Sequence, residues 1–124
     1  MNIHYVSDPV RFQRMTTEEI RKSFLLDALF NSDKISLWYL DVDRTIVGSA
    51  VPVKKPLTLS GSKEIASEYF AERREIGVLN IGGKGTVTVD QTSFGLNNKD
   101  TLYIGRGSKA ISFTSEHASQ PAQF

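Results

Sequence analysis

YFAERREIGVLNIGGKGTVTVDQTSFGLNNKDTLYIGRGSKAISF, running from Tyr69 to Phe113, decides the fold. Its β-branched and aromatic residues come in short runs, and glycine, asparagine and aspartate fall between them. Runs of this kind read as strands separated by tight turns. The spacing predicts strands at Tyr69–Arg73, Ile76–Ile81, Gly85–Val89, Thr101–Ile104 and Ala110–Thr114. Short strands with turn signals between them point to an all-β sandwich or barrel and away from βαβ units. Gly82-Gly83-Lys84-Gly85 reads as a hairpin turn joining two of the strands, because glycine tolerates the positive φ that tight turns demand. A phosphate-cradling loop would need a longer glycine-spaced run that opens a helix, and Thr86–Val89 is strand-like. Gly105-Arg106-Gly107 reads as a second turn; an anion site there would require Arg106 and free backbone N–H groups to converge.

Upstream, residues 1–15 read as an irregular or extended arm in which Pro9 limits helix. A helix starts at Thr16, whose side chain and Glu19 form a capping-box pattern. Ile20, Phe24 and Ala28 share one face, widened by Leu25 and Leu29, and Asn31-Ser32-Asp33 ends the run. Strands follow at Ile35–Leu40 and Thr45–Val53 across a polar turn at Asp41–Arg44, with a further short strand at Leu57–Leu59. Lys63–Ser67 has the makings of a helical turn. The expected organisation is one domain over 1–124, with an arm and helix in 1–31 and a β-barrel in 32–124.

Composition bounds what this domain can do. Its 124 residues suffice for one core and not for two. Fifteen Lys and Arg balance fourteen Asp and Glu, so no basic surplus argues for nucleic acid. With no cysteine there is neither a disulfide nor a thiolate metal site. No apolar run reaches membrane-spanning length and Met1–Met15 lacks a signal-peptide core, so a cytoplasmic protein without a membrane partner is expected. The two histidines, His4 and His117, stand near opposite ends of the chain, a poor start for a zinc or iron site.

The quoted stretch resembles a cupin. Glu75 lies seven residues before Gly82, as the carboxylate precedes the glycine in a cupin's first motif, and Gly105-Arg106-Gly107 sits like the family's later turn. Where that family has its last ligand histidine stands Ala110, and Tyr69, Phe70 and Ala71 occupy the region of the paired histidines. A closer resemblance is carried by DRTIVGSAVPV (Asp43–Val53), YFAERREIGVLNIGGKGTVTVD (Tyr69–Asp90) and KDTLYIGRGSKAISF (Lys99–Phe113). Together with the helix segment around Ile20–Phe30, these resemble the N-terminal half of the 5-keto-4-deoxyuronate isomerase family, the 4-deoxy-L-threo-5-hexosulose-uronate ketol-isomerases. The resemblance spans almost the whole chain in order.

That resemblance implies one cupin-like barrel, or jelly roll, of a bicupin twice this length. The implied enzyme converts 5-dehydro-4-deoxy-D-glucuronate to 3-deoxy-D-glycero-2,5-hexodiulosonate in bacterial pectin and uronate breakdown, as a cytoplasmic homo-oligomer, commonly a hexamer. It also implies zinc in the other, C-terminal half, held by an H-x-H pair, a glutamate and a later histidine. Laid on Glu72-Arg73-Arg74, the two paired-histidine positions become Tyr69 and Ala71 and the glutamate position Ile76; the generic cupin spacing gives Glu75 instead. Neither register supplies a complete ligand set, so no zinc is expected on this chain. The final residues, Gln120 to Phe124, read as the end of a domain fragment.

Among the residues present, Arg73 and Arg74 are the candidates to grip the carboxylate of an acidic sugar, since the guanidinium fork matches it. The plainer alternative pairs one of them with Glu72 or Glu75 on the surface. Glu75 is the third substrate-binding candidate, and it would be the base in a metal-independent isomerase. Asp43 and Arg44 read as turn residues, Tyr103 as core, His117 as surface, and Trp38 and Tyr39 as one core and one exposed aromatic. Three functions follow: a non-catalytic scaffold half of the isomerase, a free-standing metal-free module for acidic sugars, or a metal-independent isomerase. The helix and the Ile35–Val53 strands are the expected interface material.

Overall fold

The computed structural model describes all 124 residues. Asp8 and Pro9 begin the first helix, α1 (Pro9–Phe12). The Asp8 carboxylate accepts hydrogen bonds from the N–H groups of Val10 and Arg11 at 2.9 and 3.0 Å. Pro9 sits where a missing N–H costs nothing, so it opens a turn of helix in what the sequence suggested was an irregular arm. The second helix, α2 (Thr17–Phe24), carries the expected capping box: Thr16 N–H donates to Glu19 Oε2 at 2.8 Å and Glu19 N–H to Thr16 Oγ1 at 3.3 Å. It ends at Phe24, with Leu25 already extended, so Ala28 and Leu29 lie beyond it. Neither helix buries a residue fully, and Phe12 and Phe24 meet edge to face at 5.8 Å.

A three-stranded sheet joins β1 (Asn2–His4), β2 (Ile35–Leu40) and β3 (Ile46–Ala50). β1 is parallel to β2, and β2 is antiparallel to β3 across the polar turn at 41–44. His4 Nε2 lies 2.9 Å from Ser23 O, which fastens β1 to α2, and its ring stands edge-on to Trp38 at 6.0 Å. A four-stranded antiparallel sheet orders β4 (Leu57–Leu59), β9 (Ile111–Ser115), β6 (Gly85–Val89) and β7 (Thr92–Leu96). β5 (Ile76–Leu79) and β8 (Thr101–Ile104) form a separate antiparallel pair. The expected all-β class holds. One core serves all three sheets, among its members Ala50, Val78, Val87, Ile104, Phe113 and Phe124.

Several elements differ from the sequence reading. Residues 69–73 are turns and bends, because Phe70 and Ala71 are buried side by side where a strand would send them to opposite faces. Gly82 to Gly85 is no hairpin: β5 pairs with β8 and β6 with β7 and β9, so the turn carries the chain from one sheet to another. The hairpin lies instead between β6 and β7, where Asp90 takes φ 53°. β7 and β1 were not anticipated; β7 is exposed along its length until Leu96.

Two aspartates repeat one device. Asp33 (φ 56°) donates its N–H to Val51 O and accepts from the N–H groups of Val53 and Lys54 at 2.9 and 2.7 Å. Asp90 donates its N–H to Ala110 O and accepts from those of Lys109 and Ala110 at 3.0 and 2.9 Å. The hydrogen bonds from Lys54 and Val53 hold the Asp33 carboxyl below its ordinary range.

The C-terminal residues are woven in. Ala50 and Phe124 exchange backbone hydrogen bonds of 2.9 and 3.0 Å, Ile81 N–H donates to Gln123 O at 2.8 Å, and Gly83 N–H donates to Pro121 O at 2.9 Å. Gly85 is close to this strap: a Cβ built there would stand 2.5 Å from Ala122 Cβ and from Thr114 O. Gly85→Ala is therefore expected to lower stability by about 2 kcal/mol, the usual cost of overpacking. Urea unfolding measures it, and a loss below about 0.5 kcal/mol would show that the strap yields.

Candidate functional site

The loop at 69–75 reaches the Gly105–Gly107 turn through one backbone contact, Gly107 N–H to Ala71 O at 2.8 Å, and through the pairing of Ile76 with Ile104. The fold thus joins the two stretches on which the cupin resemblance rests. Of the candidate side chains, Glu75 alone meets the second stretch, at Tyr103. Arg73 is exposed, with Nε 3.8 Å from a Glu72 oxygen, a loose surface pair of little energetic weight. Arg74 lies half-buried, its guanidinium carbon 5.6 Å from the centre of the Phe70 ring, and its Nε is buried with no hydrogen-bond partner. Glu75 is exposed beside the exposed Tyr103, which the sequence reading had placed in the core.

Hydrogen bonding to Glu75 pushes the Tyr103 hydroxyl above its ordinary pKa of 10; desolvation and the carboxylate charge act in the same direction. The neutral phenol is the favoured form, so its contribution to stability is complete below pH 10 and fades as pH rises through the elevated value. Glu75→Ala is expected to bring the Tyr103 titration back toward 10, followed by tyrosinate absorbance; an unmoved curve would refute the pairing.

The positions aligned with a cupin's metal ligands carry no usable donor set. Ala71 is buried, Ala110 is exposed, and neither they nor Ile76 can bind a cation through the side chain. Nowhere do three His, Cys, Asp or Glu side chains gather closely enough to hold a metal. His4 is engaged with Ser23 and Trp38, and His117 stands exposed 3.7 Å from Glu116. These residues do not fit a zinc site.

Two features escaped the sequence reading. One is Asn80, fully buried, whose side-chain N–H groups reach the carbonyls of Gly83, Leu96 and Asn97 at 2.8, 3.0 and 3.2 Å. Its Oδ1 accepts from Gly82 and Gln123 N–H at 3.1 and 3.2 Å. A polar residue between Leu79 and Ile81 just ahead of paired glycines was the available signal. The other is a cleft of about 390 Å³ between β3 and β5, with fourteen of its seventeen lining residues hydrophobic. Gly48, Gly77, Leu79 and Ile81 are exposed at its walls, and Phe124 lies at one end.

No protein-family model matches the chain. Curated relatives do. The 4-deoxy-L-threo-5-hexosulose-uronate ketol-isomerase of Formosa agariphila is 50% identical over 120 residues, 97% of this chain and 43% of that protein. The proteins of the same name from Lachnoclostridium phytofermentans and Caldicellulosiruptor bescii are 47% and 46% identical over 124 residues, all of this chain and 45% of each. The chain spans less than half the length of the relatives it matches. No helix is long and apolar enough to cross a membrane.

Proposed function

We propose that this chain is a scaffold portion of a 4-deoxy-L-threo-5-hexosulose-uronate ketol-isomerase and does not itself carry the catalytic centre. The observation behind this reading is the identity of 46–50% across essentially every residue, to proteins more than twice as long. Moving a carbonyl along a sugar requires a base to shift a proton and an electrophile to stabilise the enediolate. Glu75 is an exposed carboxylate beside Tyr103. Arg73 and Arg74 diverge, one toward water and one onto Phe70, so they do not form a clamp for a uronate carboxylate. On this reading the metal, zinc by family resemblance, belongs to the part of the enzyme outside these residues. A role in uronate and pectin catabolism, a cytoplasmic location and homo-oligomeric assembly, as hexamers, belong to the same proposal.

The test compares the 124-residue chain alone with the chain mixed with the remaining portion of the Lachnoclostridium phytofermentans enzyme. Carbonyl migration on the hexosulose uronate is followed by NMR, with and without added zinc. No turnover by the chain alone is expected under any metal condition. Turnover by the chain alone without metal, abolished by Glu75→Gln, would move catalysis onto this domain and overturn the proposal. Glucuronate titrated to about 10 mM is expected to leave the amide resonances around Arg73 and Arg74 unmoved. Saturable shifts there would favour an acidic-sugar binding module.

A further inference from the structure

We infer that the free edge of β7 is an interaction surface for a second copy of this chain, the two β7 strands pairing antiparallel about a two-fold axis at Phe94. The pairing joins the four-stranded sheets of the two copies into one continuous sheet. The inference rests on the edge of this strand and does not depend on the isomerase reading.

The phase of β6 decides which way β7 turns its backbone. Asp90 N–H donates to Ala110 O and Glu116 N–H to Lys84 O, so the even-numbered residues of β6 bond to β9. Its odd-numbered residues, Gly85, Val87 and Val89, bond on the other side to their register partners Leu96, Phe94 and Thr92. Ser93 and Gly95 therefore point their N–H and C=O groups away from β6, along an edge where the order of the sheet places no other strand. Nothing stands within 4 Å of a Cβ built on Gly95. Phe94 shares a face with its register partner, the buried Val87, and is still 39% exposed.

Proteins blunt a free edge with lysine, with proline or by keeping it short, and the outer strands here differ in this respect. β4, at the opposite edge of the same sheet, is three residues long and is entered from Lys54-Lys55-Pro56. β1 is equally short and is fastened to α2 through His4. β8 has four residues, with Asp100 directly before it and Arg106 shortly after. β7 has five, and Gln91 to Asn98 contain no charge and no proline. The stretch is also self-complementary. With Phe94 opposite the partner's Phe94, Ser93 faces the partner's Gly95 and Gly95 the partner's Ser93. These two pairs exchange four hydrogen bonds, which use every outward backbone group of the strand. Ser93 then meets a residue without a side chain, and the Phe94 rings meet at the closer, non-hydrogen-bonded kind of pair. No like charges are brought together, and an isologous contact of this kind closes at two copies. Two strands of this length make a small contact of the weak, transient class, with a dissociation constant on the order of 0.1 mM.

Amide exchange followed by NMR on the 124-residue chain at about 20 μM and about 2 mM tests this. At the higher concentration, exchange at Ser93 and Gly95 is expected to slow about fivefold, while Thr92 and Phe94, already bonded to β6, change little. Gly95→Pro removes an N–H that bonds to nothing within one copy, so it is expected to abolish the concentration dependence and leave the fold intact. Should it fail to fold, judged by loss of protection at Val87, two charge variants carry the test. Phe94→Lys and Phe94→Glu each set like charges opposite one another at the axis, and each alone is expected to lose the effect. An equimolar mixture of the two is expected to regain it, because opposite charges then meet at the axis. Rates at Ser93 and Gly95 that stay within about 1.5-fold across the concentration range would overturn the inference. So would association that persists in both charge variants alone. Protection that appears at Thr101 and Tyr103, or at Gly48 and Gly77, and not at Ser93 and Gly95 would assign the contact to β8 or to the apolar cleft and overturn it equally.

Discussion

Asn80→Ala is expected to lower the unfolding free energy by about 3 kcal/mol or more, a large share of a small domain's stability. The side chain is fully buried and makes five hydrogen bonds, to the turn after β5, the end of β7 and the C-terminal strap. Alanine would leave three carbonyls and two N–H groups without the Asn80 partner they have here. The cost of one such orphaned group is about 1–3 kcal/mol, and partial solvation of Gly82 and Gln123 holds the sum down. Asn80→Asp should be worse at neutral pH despite its equal size, because a carboxylate would face three carbonyl oxygens with no proton to offer. Urea unfolding with an unchanged slope checks both substitutions. A loss under about 1 kcal/mol for alanine would mean that the five bonds are worth no more to folding than their hydration.

Removing Pro121–Phe124 should have a comparable or larger effect. Phe124 is 8% exposed and Ala122 fully buried, both within the main core. Truncating a buried phenylalanine to alanine typically costs about 3–5 kcal/mol, so Phe124→Ala alone should remove much of the stability. Deletion would also free the backbone of Ala50, Ile81 and Gly83, and it would strip Ser115 Oγ of its donor, Ala122 N–H at 2.8 Å. The shortened chain is expected to lose cooperative unfolding and near-ultraviolet dichroism. A cooperative transition within about 1 kcal/mol of the parent would show that the strap merely rests on the sheets.

Local signals made part of the fold legible. The Thr16 and Glu19 capping box, the β2–β3 pair with its polar turn, and β4, β6 and β8 could be read because each depends on a few neighbouring residues. What failed depends on distant partners. Tyr69, Phe70 and Ala71 look strand-like, yet they pair with no strand, and the chain bends to bury Phe70 and Ala71 in succession. β7 has no apolar alternation; it exists because Asp90 turns it back onto β6. The glycine-rich turn was recognised as a turn and assigned to the wrong connection, since its close approach to Gln120 and Pro121 lies far along the sequence. The candidate site followed the same pattern. The divergence of Arg73 from Arg74 is set by Phe70 and by the absence of a strand there, which single residues do not announce.

Trp38 is the sole tryptophan, and it lies in β2 with His4 edge-on to its ring. The protein therefore carries an optical probe in its three-stranded sheet and none in the strap or around Asn80. Indole emission during denaturation reports on the docking of β1 and β2. A separate signal, such as far-ultraviolet ellipticity, is needed to see the sheet built on β6 and β9. Superimposable curves from the two would establish that this sheet and the other two melt as one unit; an earlier fluorescence change would identify the N-terminal sheet as a weakly coupled part of the fold.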